Sequence, residues 1–503
     1  MSFRSESQFS AKQESVFAFT QENSGKLMPR TFIATINIKY WRRRAASVIV
    51  AGMLGFSLLL SSCGTPADTT TAGTTTAGTS TSQSSATGET GGTTGVSQPS
   101  QTTGGTTFPG TAPASTTGTT TSPSESVPTT TAPKVSLPRN ELVESYFGPL
   151  PEAKQVVPVR HIEAKALYLG AGAQIDAALN IARNSEVNSV VIDLKESDGV
   201  KYASKVPLAV SSGVVKPAFN LANVVKRFHD ENVKVIGRIV CFKDPLLAEA
   251  RPDLTIKDSA GKQLLFSLEG KKPFVSPYNQ TVWQYNVDIA LEAIAMGVDE
   301  IQFDYIRFPT GGTTSGTKPY FGAEGEVPTR VEAINRFLQF ARIKIQDETG
   351  TPLGADVFAA IILSKRDGEI VGQDWAQLGL TGIDNISPMA YPSHFANSSK
   401  GHYTGNGVGS KINGVLFEKP DLKPYEVMYQ TLMFGKPAVE KPGYTSTIRP
   451  YLQAFTAGYL PKGYYMTYDA AAISAQIKAI EDAGFKEWIC WNPRAQYPAE
   501  AFK

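Results

Sequence analysis

The chain has 503 residues, which is too long for one ordinary domain, and 41% of them are hydrophobic, which is enough for a large core. Its 48 Lys and Arg residues nearly balance its 46 Asp and Glu residues, so the net charge of +2 gives no reason to expect a nucleic-acid partner. Three cysteines exclude a disulfide framework, and four histidines argue against a histidine-rich metal centre, so we expect neither a metal nor another cofactor.

The first segment, residues 1–63, carries the features of an export signal. Three arginines at 42–44 are followed by an apolar run at 45–60, which is about as long as a signal-peptide core and shorter than a membrane span. The run ends in Leu60-Ser61-Ser62-Cys63-Gly64, which resembles a bacterial lipobox. We therefore expect lipidation at Cys63 and anchoring at the extracellular face of the bacterial cytoplasmic membrane. The alternative is an ordinary signal peptide, and translation could start at Met28 instead of Met1.

The second segment, residues 64–134, is a low-complexity linker. From Thr65 to Pro133 it consists almost entirely of Thr, Ser, Gly, Ala and Pro, with very few large apolar residues. Such a segment cannot bury a core, and its composition predicts disorder. A flexible coil of about 70 residues would span roughly 45 Å, which is enough to hold a domain away from a membrane.

The third segment, residues 135–503, has globular composition, with short apolar runs alternating with longer segments of helical period. This alternation is typical of repeated βα units. The predicted strands are Ala164–Gly170, Ser189–Leu194, Lys234–Phe242, Glu300–Phe308, Pro352–Ala359, Asn385–Tyr391, Thr447–Phe455 and Glu487–Trp491. The predicted helices include Ala173–Asn184, Leu221–Glu231, Thr281–Met296, Arg330–Glu348 and Ala470–Ala483.

Eight strands joined by helices predict an α/β fold in which the strands close into a (β/α)₈ TIM barrel. An open, doubly wound sheet is the alternative. A dinucleotide-binding sheet of that kind would carry a glycine fingerprint after its first strand, and Gly170-Ala171-Gly172-Ala173 lacks the third glycine at the required spacing.

Polar residues collect where the predicted strands end, which is the active-site face of such barrels. The fourth strand reads Phe303-Asp304-Tyr305-Ile306-Arg307-Phe308, and burying its charged residues is costly unless they are paired or functional. Strand alternation predicts that Asp304 and Ile306 share one face while Tyr305 and Arg307 share the other. The rim thus offers the two carboxyl groups that glycoside hydrolysis needs, together with polar and aromatic side chains for a sugar.

The motifs of this region, taken in order, resemble the DUF4015 type of glycoside hydrolase. They are Val191-Ile192-Asp193-Leu194-Lys195, residues 300–309, Asp356-Val357-Phe358, Gly372-Gln373-Asp374, residues 387–394, Arg449-Pro450-Tyr451-Leu452-Gln453 and Trp488-Ile489-Cys490-Trp491-Asn492. The resemblance implies a TIM barrel with glycosidase activity. It has two departures: Ala454 stands where an acidic residue is expected, and Ala359 stands where a glycine is expected.

Asp304 and Asp356 are the predicted catalytic pair. The position of Asp304 on the fourth strand resembles that of the nucleophile in several retaining barrel glycosidases. Asp356 is the predicted acid/base, because adjacent strands lie about 4.8 Å apart and retaining enzymes separate their carboxyl groups by roughly 5–5.5 Å. Asp193 competes for either role. The alternative for Asp304 is a structural ion pair with Arg307 or Lys195.

The predicted substrate-binding set comprises polar and aromatic residues at the same strand ends: Asp193, Lys195, Arg307, Gln373, Tyr391, His394, Arg449, Gln453, Trp491 and Asn492. Each has a structural alternative, such as ion pairing for Arg307, a solvent-facing loop for His394 and simple packing for the aromatic rings. Cys241 and Cys490 are interpreted as small buried hydrophobic residues. The Gly- and Thr-rich loop Thr310–Glu326 could form a mobile lid or be a plain insertion.

Three functions compete at this point. The leading hypothesis is a retaining glycoside hydrolase that acts on an extracellular or cell-surface polysaccharide. The alternative is a non-catalytic glycan-binding lipoprotein on a decayed barrel, which Ala454 slightly favours. A carbohydrate deacetylase is disfavoured, because the sequence offers no His and Asp cluster at metal-ligand spacing. The oligomeric state is left open.

Overall fold

The computed structural model describes residues 137–172, 174–395 and 410–503. The export signal, the lipidation site at Cys63 and the linker up to residue 134 lie outside the described residues. Within these ranges, no helix combines the length and the apolar character that crossing a bilayer requires.

Eight parallel strands form a closed barrel. They are β1 Lys165–Gly170, β2 Ser189–Glu196, β3 Lys234–Val240, β4 Glu300–Asp304, β5 Leu353–Phe358, β6 Asn385–Met389, β7 Tyr451–Gln453 and β8 Trp488–Trp491. Each strand pairs with the next, and β8 returns to β1 through the register Lys165↔Trp488. A two-residue strand, Thr447–Ile448, precedes β7 and also pairs with β6. The predicted closed barrel is therefore confirmed, and the alternative open sheet is excluded.

Twelve α-helices are assigned in the described residues. They are α1 Glu141–Phe147, α2 Ile175–Ala182, α3 Pro207–Ser211, α4 Leu221–His229, α5 Pro245–Ala250, α6 Gln280–Ala295, α7 Arg330–Arg342, α8 Ala360–Leu363, α9 Lys365–Val371, α10 Trp375–Leu378, α11 Pro424–Val439 and α12 Ala470–Asp482. A π-helical turn, Ile343–Asp347, continues α7. The five predicted helices are confirmed, whereas α11 was not predicted; its sequence contains Pro437, a residue that normally interrupts a helix.

Some helix boundaries follow directly from capping residues. The side chain of Thr329 accepts a hydrogen bond from the backbone amide of Glu332, and the carboxylate of Glu332 accepts one from the backbone amide of Thr329, which forms a capping box at the start of α7. Asn279 caps α6 and Asn220 caps α4 in the same way, through side-chain oxygens that accept from backbone amides. These polar caps satisfy amide groups that the first turn of each helix leaves unpaired.

Two apolar clusters divide the barrel into an outside and an inside. The larger cluster fills the space between strands and helices and includes Ile192 and Leu194 of β2. The smaller cluster includes Val191 of β2 and Ile236 of β3. Because side chains alternate along a strand, the inward direction of Val191 and Ile236 also brings the following polar residues of these strands into the interior. The inside of the barrel therefore has an apolar layer at Val191 and Ile236 and becomes polar toward its C-terminal end.

Strand β4 is shorter than predicted and ends at Asp304. Tyr305, the next residue, has a φ of 50°, in the left-handed region that a non-glycine residue rarely adopts. This turn breaks the alternation of the strand, so the prediction that Asp304 and Ile306 share a face is wrong. Asp304 lies inside the barrel, whereas Ile306 packs in the larger apolar cluster outside it.

Two further strand pairs lie outside the barrel ladder. Gly199–Val200 pairs antiparallel with the end of β2, and Ser410–Ile412 pairs with Val415–Phe417 in a hairpin. The loop Thr310–Glu326 docks on neighbouring loops, with the amide of Tyr320 donating to the carbonyl of Lys257 at 2.9 Å. These contacts hold the predicted lid against the segment that follows β3, and its mobility stays a prediction.

Candidate active site

The guanidinium of Arg238, near the end of β3, lies at the centre of the polar end of the barrel. Its Nε and Nη2 atoms donate to Oδ2 of Asp304 at 3.0 and 2.6 Å, and its Nη1 atom donates to Oδ1 of Asp193 at 2.6 Å. Nη1 also pairs with Glu196. One buried cation thus holds three carboxylates that come from the ends of β2 and β4, in the bonding mode that suits a planar guanidinium.

The carboxyl groups of Asp193 and Glu196 differ in pKa. Burial, opposed by the charge of Arg238, raises the pKa of Asp193 to about 6. Its second oxygen accepts a hydrogen bond of 2.6 Å from the hydroxyl of Tyr168. Burial also acts to raise the pKa of Glu196, but the charge and hydrogen bond of Arg238 outweigh it and hold that pKa below its usual range. Glu196 is therefore the carboxylate that stays ionised to lower pH.

Asp356, on β5, lies close to the same guanidinium. Its Oδ2 atom lies 3.8 Å from Nε of Arg238 and accepts a hydrogen bond of 3.2 Å from the hydroxyl of Tyr451. Burial, reinforced by the negative charge of Asp304, raises the pKa of Asp356 well above its usual range. Its Oδ1 atom is buried and finds no hydrogen-bond partner among the described residues. These features favour a protonated carboxyl group.

The opposite half of the interior is aromatic. Tyr391, which follows β6, lies 5.8 Å by ring centroids from both Phe455 and Trp491, and the last two rings are 5.2 Å apart. Tyr168 of β1 continues this group at 6.1 Å from Trp491. The rings of Phe455 and Trp491 are partly exposed at the C-terminal end of the barrel. The site therefore has a charged half on β2–β5 and an aromatic half on β6–β8 and β1.

Comparison with known proteins fits this geometry. Residues 164–497 match the model of the DUF4015 family, which is described as a putative glycosyl hydrolase domain. The chain belongs to the DUF4015 family. Its barrel is thus a glycosyl hydrolase domain, as the sequence motifs implied. A search of curated proteins finds no match to this chain.

Solved structures give further matches. A hypothetical protein from Ruminiclostridium thermocellum ATCC 27405 is 38% identical over 38% of this chain and 97% of that chain, with a TM-score of 0.34. The PgaB (BpsB) glycoside hydrolase domain from Bordetella bronchiseptica is 12% identical over 67% of this chain and 95% of that chain, with a TM-score of 0.45. A chitinase from Chromobacterium violaceum ATCC 12472 is 13% identical over 67% and 96%, with a TM-score of 0.38.

Several residues predicted for the site are brought together in the DUF4015 domain. Asp193, Asp304 and Asp356 surround Arg238, and Tyr391 and Trp491 belong to the aromatic half. His394 is half-buried, with its ring 4.9 Å from that of Tyr391. Burial lowers the pKa of His394 to about 4, so this imidazole is neutral at neutral pH.

Lys195 lies on the face of β2 that points away from the barrel interior. The register of β2 against β3 shifts between Asp193 and Lys195, so Lys195 points toward the helices. Its Nζ atom is 2.9 Å from Asp244, at a fully buried position, and it also contacts Asn286 of α6 at 3.3 Å. Lys195 is thus structural in this arrangement and is not the cation that pairs with Asp304.

Arg449 lies at the N-terminal end of the barrel. It is fully buried, pairs with Glu300 at the start of β4, and donates from Nε to Glu487 at 2.7 Å. His161 closes the same network, with its ring nitrogens 2.7 Å from Asp384 and 3.1 Å from Glu487. This network joins the strand starts, so the structure does not bring Arg449 to the C-terminal rim.

Arg307 belongs to a separate cluster on the rim. It pairs with Glu269 at 2.9 Å, and Lys243 approaches the same carboxylate at 3.2 Å. Glu269 is buried, yet the charges of Arg307 and Lys243 hold its pKa far below its usual range. The guanidinium also lies 4.8 Å from the ring centroids of Tyr305 and Phe358. Arg307 therefore joins the loops that follow β3 and β4, and its own contacts supply its counter-charge.

The remaining polar residues of the predicted set support loops. Gln453 accepts from the amide of Ser393 at 3.0 Å and donates to Asp421 at 2.9 Å, while Gln373 donates to the carbonyl of Ile306 at 3.3 Å. Asn492 donates to the carbonyl of Ala454 at 2.5 Å. These side chains position the segments that carry the site.

The central residue of the site, Arg238, was missed from the sequence, as were Glu196, Tyr168 and Tyr451. The signal was available for Arg238, because an arginine inside the apolar run Lys234–Val240 is as costly as the aspartate of β4. In the described ranges, no group of three or more His, Cys, Asp or Glu residues is arranged to hold a metal ion. Cys241 and Cys490 are buried thiols whose pKa is raised by burial, which confirms their interpretation as core residues.

Proposed function

We propose that the DUF4015 domain is a retaining glycoside hydrolase in which Asp304 is the nucleophile and Asp356 the general acid/base. One observation carries the proposal: both carboxylates lie against the same nitrogen of Arg238, with Oδ2 of Asp304 at 3.0 Å and Oδ2 of Asp356 at 3.8 Å. These two oxygens are therefore at most about 7 Å apart. This limit is compatible with the roughly 5–5.5 Å between the carboxyl groups of retaining enzymes and excludes most of the roughly 6.5–9.5 Å range of inverting enzymes.

The two carboxyl groups have environments that suit different roles. Asp304 receives two hydrogen bonds from Arg238, which orient its carboxylate and supply the counter-charge that a nucleophile of this kind needs. Asp356 has a raised pKa because it is buried and lies near Asp304, so it can deliver a proton to the leaving oxygen. After the glycosyl-enzyme forms, the negative charge of Asp304 is consumed, and Asp356 can accept a proton from water.

The aromatic half would bind the apolar face of the sugar. Phe455 and Trp491 are partly exposed at the barrel end, and flat rings of this kind suit the C–H faces of pyranose rings. Together with the proposed lipid anchor at Cys63 and a long linker, this supports an extracellular or cell-surface polysaccharide as the substrate. In this proposal the enzyme is held at the outer face of the cytoplasmic membrane.

A non-catalytic glycan-binding lipoprotein is the second candidate. The observation that favours it is the low exposure of the carboxylates, since the side chain of Asp356 is fully buried and that of Asp304 is 7% exposed. Substrate binding would have to open this cluster before the chemistry could begin. A decayed hydrolase would bind a glycan at the aromatic half and leave the cluster closed.

Hydrolysis of a panel of polysaccharides and aryl glycosides by wild type, Asp304→Asn and Asp356→Ala separates the two candidates. Asp304→Asn should abolish turnover while preserving much of the binding. Asp356→Ala should slow natural substrates more than activated aryl glycosides, which need less protonation, and azide should partly rescue it. Asp198→Asn, an exposed site next to the cluster, is the matched control.

Product stereochemistry, followed early by NMR, should show retention. Activity should fall as pH rises through the raised pKa of Asp356, because the acid then loses its proton before reaction. An inverted product, or full activity in Asp304→Asn, would contradict the assignment and turn attention to Asp193. Glycan binding with no turnover in wild type would favour the binding protein.

A further inference from the structure

The Arg238 cluster consists of Arg238 and the carboxyl groups of Asp193, Glu196, Asp304 and Asp356. Among these four, the side chain of Glu196 is the most exposed. Its side chain is 17% exposed, whereas those of Asp193, Asp304 and Asp356 are 1%, 7% and 0% exposed. Its Oε1 atom pairs with Arg238, and its Oε2 atom accepts only a backbone hydrogen bond of 3.2 Å from Ser197. Glu196 is therefore the most solvent-accessible of the four carboxyl groups around Arg238.

The Arg238 cluster contains more negative than positive charges. Four carboxyl groups surround one guanidinium, and even with Asp356 protonated, three carboxylates share that single positive charge. The two nearby lysines have carboxylates of their own, since Lys195 pairs with Asp244 and Lys201 pairs with Asp198, although the charge of Lys201 also acts on Glu196. On the β4 side, Lys243 and Arg307 share Glu269, which leaves one excess positive charge beside Tyr305 that also acts on Asp304.

A second observation points to a ligand group inside the cluster. Oδ1 of Asp356 is buried and has no hydrogen-bond partner among the described residues, although its other oxygen bonds to Tyr451. A buried polar atom without a partner costs free energy unless something supplies the missing hydrogen bond. Because Oδ2 accepts from Tyr451, the proton of a neutral Asp356 lies on Oδ1, and a bound sugar would offer this atom a hydroxyl or glycosidic oxygen as acceptor.

We infer that the sugar bound beside Glu196 is an amino sugar with a free, protonated amine. The inference rests on the proposed function and names its substrate class. A poorly solvated site with excess negative charge attracts an ammonium group and repels a carboxylate, so a uronic acid is disfavoured there. A neutral hexose or an N-acetylated sugar lacks the charge that Glu196 would compensate. The substrate is therefore a polysaccharide that contains unacetylated amino sugar residues.

Binding to the Asp356→Asn variant tests this inference without turnover. That change keeps the shape of the side chain and preserves the charge of a site in which Asp356 is protonated. Calorimetry or ligand NMR at pH 7 and low salt, where Asp193 is largely ionised, would compare matched sugars that differ at one group: the free amine, its N-acetyl form and the parent hydroxyl sugar, as monosaccharides and as oligosaccharides. The free amine should bind at least about tenfold more tightly, as expected for a charge-assisted hydrogen bond.

Glu196→Gln in the same background should remove that preference and leave the affinity for the neutral sugars unchanged. Asp198→Asn, an exposed carboxylate two residues away that pairs with Lys201, should retain the preference. High salt should weaken it. Equal affinity for the three sugars, no binding of any of them, or a preference that survives Glu196→Gln would overturn the inference.

Failure of this inference and failure of the proposed function give different results. If wild type hydrolyses neutral or N-acetylated substrates with the expected losses in Asp304→Asn, the glycosidase assignment stands and the amino-sugar inference falls. If the free amine binds with dependence on Glu196 but no substrate is cleaved, the inference stands and the catalytic assignment falls.

Discussion

The guanidinium of Arg238 donates two hydrogen bonds to a single oxygen of Asp304, from Nε at 3.0 Å and from Nη2 at 2.6 Å. The remaining nitrogen of Arg238 holds Asp193 and Glu196. The polar end of the barrel therefore depends on one side chain for both its stability and its charge balance.

Replacing Arg238 with methionine should be strongly destabilising. It would leave four carboxyl groups crowded in the barrel without their cation, and breaking a buried pair on one side costs about 3–5 kcal/mol. Denaturant unfolding of Arg238→Met measures this loss. Arg183→Met, which removes an exposed pair with Glu231, should cost far less, because water screens that pair. Similar losses in the two variants would contradict the central role of Arg238.

Arg238→Lys should separate charge from geometry. Lysine keeps the positive charge but cannot reproduce the planar fork, so the fold should survive better than in Arg238→Met while turnover falls. The pH–rate profile should also shift, because the carboxyl groups around residue 238 would lose their hydrogen bonds unequally. An unchanged profile with full kcat would show that the guanidinium does not position Asp304.

Lys195 should prove to be a stability residue and not a substrate ligand. Lys195→Met leaves Asp244 buried without its partner, at a cost of about 3–5 kcal/mol. The double variant Lys195→Met/Asp244→Leu should recover much of that stability, because neither charge remains buried. KM of the double variant should stay close to that of wild type. A large rise in KM with unchanged stability would show instead that Lys195 binds substrate.

The His161 network should make stability depend on pH at the alkaline end. Hydrogen bonds to Asp384 and Glu487 raise the pKa of His161 to about 10, above its value of about 6.5 in an unfolded chain. Its contribution is therefore fully present below pH of about 6.5 and is lost as pH rises toward about 10. The difference in Tm between wild type and His161→Gln should be largest near pH 5.5 and should shrink by pH 10. A constant difference across this range would refute the linkage.

Cys63 should control membrane attachment. Wild-type protein should partition with membranes and incorporate labelled lipid. Cys63→Ala should lose the label and be either secreted or retained with an uncleaved signal. Lipid labelling that persists in the variant would rule out the lipobox interpretation.

The barrel itself could be predicted from the sequence because its strands are apolar runs of regular spacing. All eight strands were placed, and the aspartates of β2, β4 and β5 converge as their positions at strand ends predicted. Arg238 is harder to predict because the predicted strand, Lys234–Phe242, extends four residues beyond it and so places it in the strand interior, although the rule on buried charge applies to it equally.

Other errors arise from geometry that a pattern of residues does not encode. The register shift in β2 turns Lys195 outward, and the left-handed turn at Tyr305 ends β4 early. Arg449 was placed within one long strand, but that segment is split by Pro450, and Arg449 lies with the strand starts. Such local irregularities depend on tertiary packing and are invisible to period-2 alternation.

The left-handed backbone at Tyr305 has a consequence for engineering this domain. A residue with a side chain held at a φ of 50° costs of order 1–3 kcal/mol, and a glycine there would relieve the strain. The same peptide donates its amide hydrogen to Oδ1 of Asp304 at 2.5 Å, and the ring of Tyr305 lies 4.8 Å from both Lys243 and Arg307. Selection for heat resistance alone would thus favour losing a side chain that orders the entrance to the barrel. At Tyr305, the thermal stability of the fold and the ordering of the site therefore place opposite demands on the residue.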